Sequence, residues 1–169
     1  MIIIGLGANL QWSGRQPAEN ISLAIRAVAQ LGVPFKSSSL YESEAWPDPD
    51  DPVYVNAVIA LTDTGLTPED FLVSLQTLEI TFGRQRDSKN RYASRSMDLD
   101  LLAFHDEIVG SGATEELTIP HPALQARSFV LMPLVEILPV WVHPVSGLTS
   151  EQMFRRIDAQ GTRILGRGD

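Results

Sequence analysis

The sequence predicts an α+β protein in which helices pack on an antiparallel sheet. Two observations support this fold class. Short runs rich in β-branched residues alternate with segments whose apolar residues recur at intervals of three and four. In chain order these segments read strand, helix, strand, strand, helix, strand, and a helical region follows. At 169 residues the chain is predicted to form a single domain, 1–169, with a full core.

The first half of the predicted fold contains two strands and one helix. The opening run, 2–7, is apolar and ends in glycines, which is typical of a short buried strand. The first helix begins near Pro17, because proline suits a first turn, and its apolar periodicity stops before Gly32. The second strand is predicted over 35–41. A polar loop rich in proline and acidic residues is then predicted over 42–52.

The second half begins with a predicted strand over 54–62. Thr67 is the predicted N-cap of the second helix, which continues to Phe82. The fourth strand is predicted over 97–104. The remaining segments are a small hairpin arm formed by Ile108 with 117–119, two short helices over 127–137 and 149–157, and a frayed tail over 162–169. This order of elements predicts a ferredoxin-like βαββαβ arrangement with an appended helical segment.

The most informative stretch runs from Gly83 to Asp100, where a basic loop leads directly into the fourth predicted strand. It holds five of the thirteen lysines and arginines of a chain whose net charge is -8, so positive charge is concentrated here. Asp98 and Asp100 are two residues apart, so in a strand they point to one face and could share a cation such as Mg²⁺. The arginines could then hold phosphates. The alternative is that both aspartates are surface residues beside a solvated loop.

Both faces of the fourth predicted strand become apolar after its acidic start, which predicts a central strand covered on both sides. One face is predicted to carry Met97, Leu99, Leu101 and Ala103, and the other Asp98, Asp100, Leu102 and Phe104. The aspartates are expected at the sheet's edge or in a cleft, because burying unpaired carboxylates is costly. On the preceding helix, Glu79 lies at the margin of an apolar stripe. It should therefore be half-buried and pair with the arginines that follow.

The composition argues against several classes of function. Its acidic balance is unfavourable for general nucleic-acid binding, which needs a broad basic surface, and favours a small anionic ligand. The sequence has no apolar run of about 18 residues, so no transmembrane helix and no membrane partner are predicted. Because the chain has no cysteine and its start lacks the features of a signal peptide, a cytoplasmic location is expected.

Several motifs occur together in an order that is similar to that of one enzyme family. They are GLGAN at 5–9, Tyr54-Val-Asn56, Leu78-Glu79 before Gly83-Arg84, Arg95-Ser-Met-Asp98-Leu-Asp100-Leu-Leu, and Ile119-Pro-His121-Pro. With these motifs the chain resembles the 6-hydroxymethyl-7,8-dihydropterin pyrophosphokinases over roughly Met1 to Pro144. The resemblance implies transfer of the terminal diphosphate of ATP to the hydroxymethyl oxygen of a reduced pterin, with release of AMP, in folate biosynthesis.

The resemblance also implies a nucleotide site with two Mg²⁺ ions on Asp98 and Asp100. It adds Arg84 and Arg95 to these aspartates as catalytic residues. The other nucleotide-binding residues that it implies are Gln76, Glu79, Arg86, Arg91, His121 and Arg127. Of these, Arg86 and Arg91 belong to a mobile loop. Without the family, the histidine would be interpreted as a loop residue beside prolines.

The pterin is a flat heterocycle with an amide-like edge, so it needs aromatic faces and a side-chain amide. The residues that the resemblance assigns to it are Ser43, Trp46, Tyr54, Asn56, Tyr92 and Phe129. Asn56 is also informative by itself, because an amide inside the apolar run YVNAVIAL is costly unless it is satisfied. A bound pterin could pair with its donor and its acceptor. The alternative is an asparagine that the backbone satisfies.

The chain departs from the family pattern at three places. Ser43-Glu44-Ala45 stands where the family usually has Thr-Pro-Pro, Tyr92 replaces a loop tryptophan, and Ala93-Ser94 replaces Gly-Pro. None of these changes removes a predicted metal ligand or phosphate-binding arginine. Two other functions stay open, which are a different two-metal phosphoryl or nucleotidyl transferase and a non-catalytic ligand-binding domain. A monomer that acts on ATP and the pterin is expected.

Overall fold

The computed structural model describes residues 1–45, 48, 50–84, 94–110, 117–158 and 161–166. Within these residues it contains six strands, four α-helices and two short 3₁₀ turns. In chain order the strands and α-helices are β1 (Ile2–Ala8), α1 (Pro17–Val28), β2 (Pro34–Ser37), β3 (Leu40–Ser43), β4 (Tyr54–Leu61), α2 (Pro68–Thr81), β5 (Asp98–Phe104), α3 (Ser128–Ile137), α4 (Ser150–Phe154) and β6 (Thr162–Gly166).

The strands form one antiparallel sheet in the order β5-β1-β4-β3-β6, and β2 also pairs with β4. Because β2 and β3 pair with successive parts of β4, together they take the place of the predicted second strand. The four predicted strands therefore lie in the order fourth, first, third, second. This is the ferredoxin-like arrangement, so the predicted fold class is confirmed.

Helices cover both faces of the sheet, because alternate residues of the central strands point to opposite faces. On β1, Ile2 and Ile4 pack with α1 and α2 in a first buried cluster, whereas Ile3 packs with α3 in a second. Thr67 caps α2 as predicted, since its side chain accepts a hydrogen bond from the Asp70 N–H. The candidate site lies on the α3 face, at one end of the sheet.

The predicted second strand, 35–41, is divided into β2 and β3. The division falls at Ser38, whose hydroxyl accepts a hydrogen bond from the Val58 N–H at 3.0 Å. A side chain thus replaces a backbone acceptor, and the regular ladder is interrupted here. β3 then continues to Ser43, so the polar loop begins at Glu44 and not at the predicted position 42.

The fourth predicted strand is confirmed as β5, but its predicted central position is wrong. Among the described strands β5 pairs only with β1, so it lies at the edge of the sheet. A register shift opposite Ile3 and Ile4 marks a β-bulge, which reverses the alternation of β5 after Leu102. As a result Phe104 packs in the first cluster and Ala103 in the second, opposite to the predicted faces. The two aspartates precede the bulge and share a face, as predicted.

The C-terminal segment differs from the predicted frayed tail, because Thr162–Gly166 forms β6 beside β3. Its side chains are half-buried or exposed, so the sequence shows no apolar alternation there. Backbone pairing stabilises this strand, together with an ion pair of 2.5 Å between the Arg163 Nη2 and the Glu42 Oε1. The strand therefore forms without the burial on which strand prediction depends.

The remaining predicted elements are confirmed with changed lengths. The helix predicted over 127–137 is α3, and the one predicted over 149–157 is the shorter α4. The predicted hairpin arm is a single bridge between Val109 and Ile119. In the described part of the chain no helix combines the length and the apolar character needed to cross a bilayer.

Candidate active site

Three adjacent strands bring the central residues of the candidate site into one row. Gly7 on β1 lies opposite Asn56 on β4 and opposite Asp98 on β5. A Cβ at Gly7 would lie 3.3 Å from the Asn56 Oδ1 and 3.9 Å from the Asp98 Cβ. Because glycine has no Cβ, the space between these two polar side chains stays open. Gly7 is therefore the floor of the site.

Two arginines contact the two carboxylate oxygens of Asp98. The Arg84 Nη1 donates to Oδ1 at 2.6 Å, and the Arg95 Nη1 donates to Oδ2 at 3.0 Å. The Asp98 side chain is 26% exposed, so these ion pairs are accessible to a ligand. These contacts bring together Arg84, Arg95 and Asp98, three of the four predicted catalytic residues. Their catalytic roles stay predictions.

The C-terminus of α2 directs Arg84 toward this carboxylate. Gly83 has a positive φ of 79°, and the Arg84 N–H donates to the Glu79 carbonyl at 3.0 Å, which is the pattern of a Schellman motif. The chain turns back on the helix, so the Arg84 guanidinium also pairs with the Glu79 carboxylate. This contact confirms the predicted partner of Glu79.

Glu79 is more buried than predicted, because it lies against the outer edge of β5. Its carboxylate accepts a hydrogen bond from the Leu99 N–H at 2.8 Å, and its side chain is 4% exposed. Burial raises the pKa of Glu79, while the Leu99 N–H and the Arg84 charge act in the opposite direction. Glu79 thus joins α2, β5 and Arg84 in one contact.

Asp100 lies on the same face of β5 as Asp98. Its Oδ2 is 3.6 Å from the Nη1 of Arg127, which directly precedes α3. Burial, followed by repulsion from Asp98, raises the pKa of Asp100 to about 7. Two close carboxylates that repel each other suit a shared hard cation. Among the described residues no group of three or more His, Cys, Asp or Glu side chains could hold a metal ion, so phosphate oxygens or water would complete its ligands.

Asn56 lies on the other side of Gly7 and is 4% exposed. Its Nδ2 donates to the Ser43 Oγ at 2.9 Å, so a side chain of β3, not the backbone, satisfies this donor. Tyr54 also borders Gly7. Burial raises the pKa of this tyrosine, and the positive charge of Arg95 acts in the opposite direction. The Arg95 charge therefore acts both on the carboxylates and on the group formed by Ser43, Tyr54 and Asn56, which we call the Asn56 pocket.

The start of α3 lies beside Asp100. The Arg127 guanidinium is 5.6 Å from the centre of the Phe129 ring, within the range of a cation–π contact. Phe129 is partly buried against the second core cluster. Since Arg127 contacts both Phe129 and Asp100, it connects the predicted aromatic residue with the carboxylates.

His121 and Gln76 border the site. The His121 N–H donates to the Leu102 carbonyl at 2.9 Å, which places the residue at the outer edge of β5. Its Nδ1 accepts a hydrogen bond from the Ala123 N–H, so the proton of the neutral ring is assigned to Nε2. Gln76 is half-buried on α2, one turn before Glu79. Their nucleotide contacts stay predictions.

Part of the predicted site falls outside the described residues. The predicted residues concerned are Trp46, Arg86, Arg91 and Tyr92. The structure therefore neither supports nor opposes their assigned roles. The predicted residues that it brings together are the ones around the two carboxylates and those of the Asn56 pocket.

Asn9 is a contact residue of the site that the sequence motifs left without a role. Its Oδ1 accepts a hydrogen bond from the Arg95 N–H at 2.7 Å, and its Nδ2 donates to the Ser94 Oγ and the Pro52 carbonyl. A cavity of about 730 Å³ lies beside Asn9. A polar amide directly after a buried strand is the sequence signal that could have identified Asn9.

A carboxylate pair held by arginines on an α+β sheet is suited to a protein that transfers phosphoryl groups. The model of the family described as 7,8-dihydro-6-hydroxymethylpterin-pyrophosphokinase matches residues 3–139. The chain belongs to this family.

Two curated relatives carry the name 2-amino-4-hydroxy-6-hydroxymethyldihydropteridine pyrophosphokinase. The one from Synechocystis is 37% identical over 158 residues, which cover 92% of this chain and 75% of the relative. The one from Haemophilus influenzae is 39% identical over 150 residues, 88% of each chain. A solved structure of Plasmodium falciparum HPPK-DHPS matches 92% of this chain with a TM-score of 0.69 at 14% identity. This chain spans 42% of that longer chain, and the likeness shows the fold alone.

Proposed function

We propose that two groups of residues form one active site, in which the terminal diphosphate of ATP is transferred to the hydroxymethyl group of 6-hydroxymethyl-7,8-dihydropterin and AMP is released. The first group, the arginine–aspartate cluster, consists of Arg84, Arg95, Asp98, Asp100 and Arg127. The second is the Asn56 pocket. Family membership supports the reaction. The observation that supports its location is that Asp98, which pairs with Arg95, and Asn56 lie on either side of Gly7.

The arginine–aspartate cluster is proposed to bind the phosphates of ATP. Arg84 and Arg95 would exchange the Asp98 oxygens for phosphate oxygens, which they can bind with similar charge-assisted geometry. Asp98 and Asp100 would hold Mg²⁺, which when bound neutralises the negative charge of the triphosphate. Burial first, and repulsion from Asp98 second, raise the pKa of Asp100, and a bound cation would offset both by favouring the ionised carboxylates.

The Asn56 pocket is proposed to bind the pterin. The Asn56 Oδ1 borders the space over Gly7, while its Nδ2 is oriented by Ser43. A side-chain amide fixed in this way can recognise the donor and acceptor groups on the edge of the heterocycle. Phe129 supplies an aromatic face, and its contact with Arg127 places that face beside Asp100.

Diphosphoryl transfer requires alignment and charge neutralisation more than covalent catalysis. The hydroxymethyl oxygen forms a bond to the β-phosphorus of ATP and loses its proton to water, while the bond from that phosphorus to the α,β-bridging oxygen breaks and AMP leaves with this oxygen. Arg84 and Arg95 offset the charge on the transferred group. Asn56 orients the acceptor, and Glu79 keeps Arg84 in place.

We further propose that the chain acts as a cytoplasmic monomer whose residues 1–169 form a single domain. The net charge of -8 and the concentration of basic residues near one site support a small anionic ligand over a nucleic acid. Size-exclusion chromatography with light scattering is expected to give a mass near 18.6 kDa. A mass of twice this value would contradict the monomer.

Incubation of the purified protein with Mg-ATP and the hydroxymethyl dihydropterin tests the proposed reaction. Chromatography of the nucleotides is expected to show AMP formed in equal amount to the pterin diphosphate. Asp98→Asn is the matched control for the cluster, and a 6-methyl pterin without a hydroxyl is the control for the acceptor. Formation of ADP, or AMP release that does not depend on the pterin, would contradict the proposal and favour another phosphotransferase.

A further inference from the structure

The loop between β1 and α1, residues 9–16, contacts both ends of the segment that connects α2 with β5. Trp12 contacts the end that leaves α2, and Asn9 contacts the end that leads into β5. Arg84 lies near the first end and Arg95 near the second. These are the two arginines that contact Asp98.

Asn9 holds the backbone of Arg95 on both sides of its Cα. The Asn9 Oδ1 accepts a hydrogen bond from the Arg95 N–H at 2.7 Å, and the Asn9 N–H donates to the Arg95 carbonyl at 3.0 Å. The Leu10 N–H donates to the same carbonyl at 3.2 Å. Since Asn9 is 4% exposed, water competes little for these contacts. The position from which the Arg95 guanidinium reaches Asp98 is therefore fixed by Asn9.

Trp12 covers the backbone of Gly83. Its ring centre lies 5.8 Å from that of Phe82, at an interplanar angle of 54°, and a Cβ built on Gly83 would overlap the indole. Reciprocal backbone hydrogen bonds with Arg15, at 3.1 and 3.0 Å, close the turn that presents the tryptophan. Gly83 is the positive-φ residue of the Schellman motif. Trp12 thus packs on the part of the backbone that directs Arg84.

We infer that Asn9 and Trp12 are positioning residues for the transfer reaction. They fix both ends of the connection between α2 and β5, so that Arg84 and Arg95 approach Asp98 in one geometry. This inference rests on the proposed function, because it requires the two arginines to bind the transferred phosphates. A misplacement of about 1 Å in an aligning group can lower a rate on the order of 100-fold, so anchors outside the reacting atoms can affect turnover.

Double-mutant cycles test the inference. Asn9→Ala is expected to lower kcat for AMP release about 10- to 100-fold. In an Arg95→Ala background the same change is expected to have less than about a threefold effect, because no guanidinium is left to misplace. The backbone N–H that Asn9 binds is still present in that background.

A second cycle combines Trp12→Ala with Arg84→Ala. Trp12→Ala is again expected to lower kcat about 10- to 100-fold in the wild type and less than about threefold in the Arg84→Ala background. Trp12→Phe keeps an aromatic ring over Gly83 and is expected to restore most of kcat. The kcat of Gly83→Ala is compared with that of Gly65→Ala. Both glycines have positive φ, but a Cβ at Gly65 meets nothing within 4 Å, so Gly65→Ala controls for backbone strain alone.

Ser150→Ala and Trp141→Ala are controls for loss of a buried polar side chain and of a partly buried tryptophan, both away from the loop that carries Asn9 and Trp12. They are expected to lower Tm without a change in kcat per folded molecule. Loss of kcat in these controls equal to that in Asn9→Ala and Trp12→Ala would overturn the positioning role.

The cycles also separate this inference from the proposed function. If Arg84→Ala and Arg95→Ala leave kcat unchanged, the phosphate-binding role of the arginines is wrong, and the inference fails with it. If both arginine variants lower kcat, but Asn9→Ala and Trp12→Ala cause the same fold-loss in kcat in the arginine variants as in the wild type, the arginines act in the reaction and the inference alone is overturned. Loss of the Asn9 and Trp12 effects in the arginine backgrounds supports it.

Discussion

Among the described residues, Glu79 contacts the Leu99 N–H and Arg84, and substitutions can separate these two contacts. Its carboxylate accepts the Leu99 N–H at the edge of β5 and pairs with the Arg84 guanidinium. Glu79→Gln keeps an oxygen for the Leu99 N–H but removes the charge. Glu79→Ala removes both contacts. The two variants together therefore measure how much of the stability comes from satisfying the strand edge and how much from the ion pair.

The structure predicts a small loss of unfolding free energy for Glu79→Gln and a larger loss for Glu79→Ala. Glu79→Ala leaves a buried N–H without its acceptor, which costs about 1–3 kcal/mol, and also loses the ion pair. The ion pair itself is worth about 1 kcal/mol or less, because Arg84 is 21% exposed and keeps its contact with Asp98. The expected loss in unfolding free energy is therefore about 1–4 kcal/mol for Glu79→Ala and about 1 kcal/mol or less for Glu79→Gln.

Thermal unfolding followed by circular dichroism measures this difference. For a chain of this length 1 kcal/mol corresponds to about 3 °C in Tm, so losses of about 3–12 °C for Glu79→Ala and of about 3 °C or less for Glu79→Gln are expected. Chemical denaturation at 25 °C checks the free energies directly. Equal losses for the two variants would refute the argument that the Leu99 N–H dominates.

The raised pKa of Glu79 also determines a pH dependence. Between the ordinary value of 4.5 and the raised folded value, the folded carboxyl keeps a proton that the unfolded one has lost. The stability of the wild type relative to Glu79→Gln is therefore fully present below pH 4.5 and falls as pH rises through the folded pKa. A relative stability that rises with pH over this interval would contradict the assignment.

Three further substitutions test the site. Asp98→Ala is expected to lower AMP formation by several orders of magnitude with little change in Tm, because the side chain lies at an accessible strand edge; near-normal turnover would contradict this. Asn56→Ala should weaken pterin binding by about 1–3 kcal/mol in calorimetry and leave binding of an ATP analogue unchanged. Equal losses for both ligands would make Asn56 structural. Gly7→Ala places a Cβ 3.3 Å from the Asn56 Oδ1, so KM should rise more for the pterin than for ATP; equal increases would argue against a shared floor.

The order of the elements could be predicted because it depends on local periodicity. Apolar spacing indicated both long helices, and the two-residue separation of Asp98 and Asp100 was sufficient to place them on one face. The pairing of Glu79 with Arg84 could also be predicted, since the two residues lie close together in sequence at the C-terminal end of α2. These features need only short-range geometry.

The features that the sequence could not provide depend on contacts between distant segments. Whether β5 is central or at the edge is decided by which strand pairs with it, and its bulge is decided by the register with β1. β6 forms with exposed side chains, so it leaves no hydrophobic pattern. Asn9 and Trp12 act on residues more than 70 positions away, and no local pattern relates them.

A structure of the complex with Mg²⁺, a non-hydrolysable ATP analogue and the pterin would show whether the two groups of residues bind their ligands side by side. In this complex we expect Arg84 and Arg95 to have exchanged the Asp98 oxygens for phosphate oxygens. We also expect the pterin edge to lie on Asn56, with its hydroxymethyl group toward the carboxylates. A complex in which both arginines still hold Asp98, or in which the pterin lies away from Asn56, would contradict the assignment of the two groups to one active site.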